Sequence, residues 1–318
     1  MTGWIVEPGI GETRAVLVED GDIVEALVEL EGVVPASSVI RARLASVGTA
    51  ERNAVARDEN GQEFLLPAGA PGVSEGAMLA IEVTRSAFPG SEPWKRPLAR
   101  VTMMAPALLP SLAKRLGARL AAIGGVDELA QAGWLDLVEE ARGGSVDFAG
   151  GLLRISPTPA MTLIDVDGVL PPEELALRGV KAAAQAIRRM GISGSIGIDL
   201  PTVRSKAARA AQDAAIDAVP PRPFERTGVN GFGFVQIVRP RRGPSLVELA
   251  QDRAGFEARA LMRVGGRSVG AIRLVAHPGV IAAIQPEWIE RLSRAVGGTV
   301  SLRGDAARGM AGGHVEPA

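Results

Sequence analysis

From Thr13 to Arg85, apolar and polar residues trade places every second position in short runs, the period of a strand with one face buried. The runs are Thr13 to Val18, Asp22 to Leu30, Val39 to Val47, Asn53 to Arg57, Glu63 to Leu66 and Met78 to Arg85. Glu19-Asp20-Gly21 and Glu59-Asn60-Gly61 supply turn signals between them, because Gly and Asn accept the left-handed backbone of tight turns. Several short strands at these spacings predict a small β-barrel, and an OB-like barrel is one candidate. The alternation stops at Phe88-Pro89-Gly90-Ser91-Glu92-Pro93-Trp94-Lys95-Arg96-Pro97. There Trp94, beside Lys95 and Arg96, can stack a nucleobase and hold a phosphate, or it can plug a packing gap; the residues leave both readings open.

Beyond this loop the period changes to that of a helix. Leu108, Leu112, Leu116 and Leu120 share one face of a predicted helix from Leu108 to Leu120, and a second runs from Val126 to Ala141; both stripes are expected to face a core. Gly143-Gly144 and Gly150-Gly151 bracket the next unit. Leu152 to Ser156 and Ala160 to Val166 read as an antiparallel pair turning at Pro157-Thr158-Pro159. A helix follows, from Pro171-Pro172-Glu173-Glu174, with Leu177, Val180, Ala184 and Ile187 at helical steps, up to Gly191. Ser195 to Asp199 is the next strand. Downstream come a helix from about Thr202 to Val219, a strand from Gly231 to Val238, and a helix to about Met262 that Ser245 and Glu248 start as a capping box. Ala271 to Ala276, Pro286 to Val296 and Thr299 to Arg303 read as strand, helix and strand. These shifts divide the chain into a β-rich region (1–102), a helical connector (103–149), an α/β unit (150–250), a small α/β domain (251–308) and a tail from Gly309 expected to be disordered (309–318).

Candidate chemistry sits in the third unit. Asp165 and Asp199 each close an apolar strand, and the helix between them makes the unit βαβ. Such crossovers are right-handed and return a parallel strand, so both strand ends emerge on one edge, where open α/β sheets hold ligands. Adjacent strands lie about 4.8 Å apart, close enough for the two carboxylates to share a magnesium ion. Asp167, two residues beyond Asp165, faces the same way. The plainer alternative is that both aspartates cap the turns that follow them.

Composition narrows the chemistry. The chain has 318 residues, 47% hydrophobic and 22% charged, which suits two or three globular units. No apolar run reaches the roughly 18 residues that span a bilayer, and Met1-Thr2-Gly3-Trp4-Ile5-Val6-Glu7 lacks a signal-peptide pattern, so a cytoplasmic protein without a membrane partner is expected. With no cysteine and two histidines, a zinc centre is not expected and base chemistry falls to carboxylates or to metal-activated water. His277 precedes Pro278 and suits a turn; His314 lies in the Gly-rich tail, where exposure is expected. Net charge is −1, but between Val203 and Arg242 eight basic residues (Arg204, Lys206, Arg209, Arg222, Arg226, Arg239, Arg241, Arg242) face three acids (Asp213, Asp217, Glu225). A local excess of this kind suits phosphate, or forms a solvated arginine-rich surface.

Three ordered stretches carry a resemblance: Thr158-Pro159-Ala160-Met161-Thr162-Leu163-Ile164-Asp165-Val166-Asp167, then Gly194-Ser195-Ile196-Gly197-Ile198-Asp199, then Asn230-Gly231-Phe232-Gly233-Phe234 through Arg239-Pro240-Arg241-Arg242-Gly243-Pro244-Ser245-Leu246. In order and spacing they resemble the catalytic subdomain of the ribonuclease E/G family, over roughly residues 150–250. The resemblance implies a DNase I-like α/β catalytic subdomain, an N-terminal OB-like barrel and a multi-domain α+β and α/β chain with a small C-terminal appendage. It implies that Asp165 and Asp199 bind Mg2+, with Mn2+ able to replace it, for endonucleolytic cleavage of single-stranded RNA. Asp167 orients water, and Lys95, Arg96, Trp94, Asn230, Phe232, Arg239, Arg241 and Arg242 meet RNA. The departures are specific. Asp167 stands where the family has asparagine, Pro159 replaces an upstream glutamate, and residues 103–150 are too few for the family's 5'-end sensor and full RNase H-like subdomain. The paired cysteines that share zinc between protomers are missing, so any homodimer is not zinc-linked. Two other readings remain: an RNA-binding protein that has lost catalysis, and a sugar- or nucleotide-phosphate enzyme using Gly191, Gly194 and Gly197. Those glycines precede and enter a strand and do not link strand to helix, so they form no phosphate-binding fingerprint.

Overall fold

The computed structural model describes residues 2–49, 52–88, 95–122, 126–219 and 221–318. β1 (Gly3–Pro8), β2 (Glu12–Glu19) and β3 (Asp22–Leu30) form an antiparallel meander. Asp20 and Gly21, at φ 53° and 99°, supply the left-handed pair of its second hairpin. β4 (Val39–Ser46), β5 (Ala54–Arg57), β6 (Glu63–Leu66), β7 (Met78–Arg85) and β8 (Leu98–Val101) close a five-stranded barrel in the order β4-β5-β6-β8-β7, compatible with an OB-like region. Ala42, Leu44, Phe64, Leu66, Ile81 and Val83 fill it.

The strands of the first hundred residues therefore divide between two bodies. Ile5, Val16, Val18, Ile23 and Ala26 of the meander pack into the same core as Val180, Ile164 and Ile196 of the α/β unit. Alternation shows that a strand has a buried face and is silent about which sheet it joins.

α1 (Leu112–Leu116) is one turn of the helix expected from Leu108 to Leu120. Ser111 caps it, Pro110 precedes it, and Gly117 at φ 59° ends it. Leu108 and Leu120 are 74% and 58% exposed, which corrects the single core-facing stripe. β9 (Arg119–Leu120) runs parallel to β1 and completes the sheet β3-β2-β1-β9. α2 (Glu128–Gln131) and α3 (Trp134–Gly143) follow, separated by Gly133 at φ 100°.

A six-stranded mixed sheet carries the candidate site. Its elements are β10 (Ser145–Phe148), β11 (Gly151–Pro157), β12 (Thr162–Gly168), α4 (Pro172–Arg189), β13 (Gly194–Asp199), α5 (Lys206–Asp217), β14 (Glu225–Arg226) and β15 (Phe234–Arg239). The strand order is β10-β11-β12-β13-β15-β14, with β12 and β13 parallel and their neighbours antiparallel. Leu153, Ile155, Ile164, Val166, Ile196, Ile198, Val235 and Ile237 point to one face and are buried in the core that α4 helps to form. Gly179 permits the close approach of α4 to β12, since a Cβ there would lie 2.3 Å from Val166 Cγ1. The other face is open: Arg154, Leu163, Asp165, Asp167, Asp199 and Val238 are all exposed. The sheet is therefore half open, with one face in the core and the other at the surface.

α6 (Leu246–Gln251) begins at the capping box of Ser245 and Glu248, and Asp252 breaks the expected long helix by capping α7 (Arg253–Gly265). β16 (Ile272–Ala276), α8 (Pro278–Ala282), α9 (Pro286–Val296), β17 (Val300–Gly304) and β18 (His314–Pro317) complete a unit with its own core around Leu261, Leu274, Trp288 and Leu292. His277 caps α8, its Nδ1 accepting from the Gly279 amide at 3.1 Å. The tail from Gly309 is not disordered: β18 pairs antiparallel with β16, giving Val315 a place against the apolar core and the β16 edge its hydrogen bonds.

A buried ionic network binds this unit to the rest. Glu12 of β2, 4% exposed, accepts from Arg259 at 3.0 Å and from Arg263, both on α7. Arg14, 1% exposed, lies 4.7 Å over the Trp134 ring. Burial and the nearby Arg263 charge lower its pKa to about 10.

Candidate metal and nucleic-acid site

Asp165 and Asp199 are direct register partners on the parallel pair β12 and β13. Strands so paired are about 4.8 Å apart, and register partners present their side chains on the same face. Both residues are exposed on the open face. Asp199 ends its strand, whereas Asp165 sits mid-strand because β12 continues through Gly168 against β11; the expectation that each closes a strand holds for Asp199 alone.

The Asp165 carboxyl titrates above the usual aspartate range. Partial burial is the largest cause, followed by the negative charges of Asp167 and then Asp199; the Val166 amide and Arg154 oppose the shift. The site is one of mutually repelling oxygens. Arg154 of β11 lies across from Asp165 and its Nε is 3.4 Å from Asp167, in a pair exposed by 65% and 60%. Sequence reading did not single out Arg154; its signal is strand alternation, which places it on the acidic face once the hairpin register is known.

Three carboxylates against Arg154 leave an excess of negative charge that fits a hard divalent cation, which takes oxygen ligands. Asp165 and Asp199 are the residues that would hold it. Among the described residues no group of three or more histidine, aspartate and glutamate side chains is close enough to hold an ion by itself. Two carboxylates therefore suit an ion such as magnesium, which retains several waters.

The loop before β15 borders the same edge, since Asp199 pairs with Phe234. The Asn230 side chain accepts from the amides of Phe232 at 2.9 Å and Phe234 at 3.1 Å, so it shapes the loop. That shape leaves Phe232 83% exposed, while the Phe234 ring lies across Gly197, where a Cβ would meet it at 2.6 Å. Thr202 ties its own loop to the Phe232 carbonyl at 3.1 Å, and the exposed Arg204 and Lys206 follow it in the chain.

The other basic candidates lie elsewhere. β15 runs antiparallel to β13, pairing Arg239 with Gly194, five residues or roughly 17 Å along the strand from Asp199. Arg239 donates to the carbonyls of Ile192 at 2.7 Å and Ile187 at 3.4 Å, closing the end of α4, and burial lowers its pKa. Arg241 pairs with Glu248 and lies 4.3 Å over the Phe88 ring. Arg242 is exposed at this far end. Lys95 donates to the Pro159 carbonyl at 3.1 Å, before the start of β12, and Arg96 pairs with Glu63 at 3.1 Å. Trp94 lies outside the described residues. Within the basic stretch, Arg226 is bound to Asp213 and Asp217, and Arg209 to the carbonyls of Val203 and Arg204. Arg239 and Arg241, expected among the residues that meet RNA, are thus placed at the opposite end of the sheet from the acids, each with internal partners.

No helix among the described residues is long and apolar enough to cross a membrane. Comparison with protein-family models and with curated proteins finds no match.

Proposed function

We propose that this chain is a magnesium-dependent endoribonuclease that cleaves single-stranded RNA in cytoplasmic RNA processing or decay, with a DNase I-like unit over residues 150–250 resembling that of the ribonuclease E/G family. The observation that carries the reading is the register opposition of Asp165 and Asp199 on an exposed sheet face, with the Asp165 carboxyl raised by partial burial first and by Asp167 and Asp199 after it. Magnesium, or manganese in its place, would be held by these two residues and would supply polarisation of the scissile phosphate and acidification of the attacking water. Asp167, steadied by Arg154, orients that water. Arg204 and Lys206 take the role of neutralising neighbouring phosphates, and Phe232 stacks a base.

A second reading, an RNA-binding protein without catalysis, is favoured by the pairing of Asp167 with Arg154 and by the two-carboxylate donor set. One experiment separates the two. A labelled single-stranded oligoribonucleotide, with a 5'-phosphate or a 5'-hydroxyl, is incubated with magnesium or with chelator. Cutting only with magnesium is expected, falling more than about 100-fold in Asp165→Asn and Asp199→Asn, because the ion supplies several kcal/mol of transition-state stabilisation. Undiminished cutting by either purified variant refutes the assignment, and salt-sensitive binding without cutting establishes the second reading.

A further inference from the structure

A cavity of about 670 Å³ opens at the end of the six-stranded sheet remote from Asp199, between β3, α1, the C-terminus of α4 and the segment after β15. Its volume falls in the range of small-molecule sites. Five arginines line it, Arg115, Arg188, Arg222, Arg239 and Arg242, against two acids, Glu25 and Glu29. Internal partners account for three of the cations. Arg115 pairs with Glu29, Arg188 lies 3.5 Å from Glu25 and 3.1 Å from Glu19, and Arg239 serves the carbonyls of Ile187 and Ile192.

Arg222 and Arg242 differ from these. The Arg222 side chain is 69% exposed, and its carboxylate neighbour Asp217 stands 4.0 Å away and already accepts two hydrogen bonds from Arg226. Its guanidinium lies 5.0 Å over the Phe224 ring, which steadies it at the rim. Arg242 is exposed, and its backbone is pinned because its carbonyl accepts from the Ser86 amide at 2.9 Å. Ser37, also on the lining, is held at φ 76°, in the left-handed region that favours glycine. The wall is aliphatic: Val28, Leu30, Leu109 and Leu116, all half-buried.

We propose that this cavity binds an organic phosphate of mononucleotide size, its phosphate held by Arg222 and Arg242 and its planar body against the aliphatic wall. Guanidinium pairs select phosphate oxygens by their fork of donors, and an aliphatic wall favours a flat base over a hydroxyl-covered sugar. This site is separate from the paired aspartates, so the proposal stands or falls independently of the nuclease reading.

Titration calorimetry on the full chain, with chelator present to silence any metal-dependent reaction, tests it with AMP, ATP, adenosine, ribose 5-phosphate and inorganic phosphate as probes. AMP or ATP is expected to bind saturably, with adenosine, ribose 5-phosphate and inorganic phosphate each weaker by at least about tenfold. Arg222→Glu with Arg242→Glu is expected to weaken the nucleotide by more than about tenfold, since each charge-assisted hydrogen bond contributes about that factor. Both side chains are exposed, so the variant is expected to fold, which thermal melting checks. Absence of nucleotide binding, equal binding by wild type and the double variant, or adenosine binding as tightly as AMP overturns the proposal.

Discussion

Asp165 stands directly across from Asp199 on adjacent parallel strands, and its carboxyl is held above the ordinary aspartate range by burial and by the charges of Asp167 and Asp199. The native state therefore binds this proton more tightly than the unfolded chain does. Its contribution to stability is favourable at low pH and is lost as pH rises from the ordinary aspartate value of 3.8 through the raised native one. At pH 7 the ionised pair opposes folding slightly, and the exposure of the site keeps that term small. Without metal, Asp165→Asn is expected to melt no lower than wild type at pH 7. Added magnesium is expected to raise the wild-type melting temperature at pH 7, to do so less as Asp165 protonates, and to leave the Asp165→Asn, Asp199→Asn double variant unmoved. A double variant that responds to magnesium like wild type would count against the shared site.

Phe232 projects from a loop that Asn230 shapes, 83% exposed and beside the acidic pair. An exposed aromatic contributes little to folding, so Phe232→Ala should change stability by less than about 0.5 kcal/mol. Loss of a stacked base costs about 1–3 kcal/mol, so affinity for a single-stranded oligoribonucleotide should fall by about 5- to 150-fold. Unchanged affinity by fluorescence anisotropy removes Phe232 from the RNA surface.

Arg239 donates to the Ile192 carbonyl just beyond α4, remote from the acids, and no phosphate contact is expected of it. Arg239→Ala leaves the Ile192 carbonyl without its charged donor, and chemical denaturation should register a loss of about 1.5–3 kcal/mol. Oligoribonucleotide affinity, measured where the variant is fully folded, should stay within about twofold of wild type, the scatter of a substitution that touches no ligand. A large affinity loss with undiminished stability would reverse this assignment.

Glu12 compensates Arg259 and Arg263 in a network that joins β2 to the C-terminal unit. Glu12→Ala removes the carboxylate partner of buried Arg263 and the nearer one of Arg259, which keeps Asp252 at 3.8 Å, and breaking a buried pair typically costs about 3–5 kcal/mol. Val16 and Val18 of β2 pack in the main core, whereas Ala258, Leu261 and Met262 of α7 pack in the C-terminal one and Phe256 alone of α7 reaches the main core, so limited proteolysis should then release the C-terminal unit earlier than in wild type. Wild-type melting and proteolysis of this variant would show that apolar packing alone holds the two together.

Local signals carried a large part of this chain. The strands between Asp22 and Arg85, the βαβ unit, the Ser245 and Glu248 capping box and the bounds of α9 follow from alternation, helical spacing and caps, all of which act over a few neighbouring residues. That Asp165 and Asp199 lie on adjacent parallel strands also follows, because a strand-helix-strand crossover returns a parallel strand. What the residues near each position do not contain is the pairing of distant strands. The antiparallel return of β15 carries Arg239 and Arg241 away from the acids although they follow them closely in sequence, and leaves Phe232 beside them. The same holds for Arg154, placed on the acidic face by hairpin register, and for His314 to Pro317, which find an open β16 edge. Sequence determined which segments fold as strands and helices, because propensity and periodicity are local. Tertiary structure decided which charges meet, because register and strand direction are set by long-range hydrogen bonding and core burial.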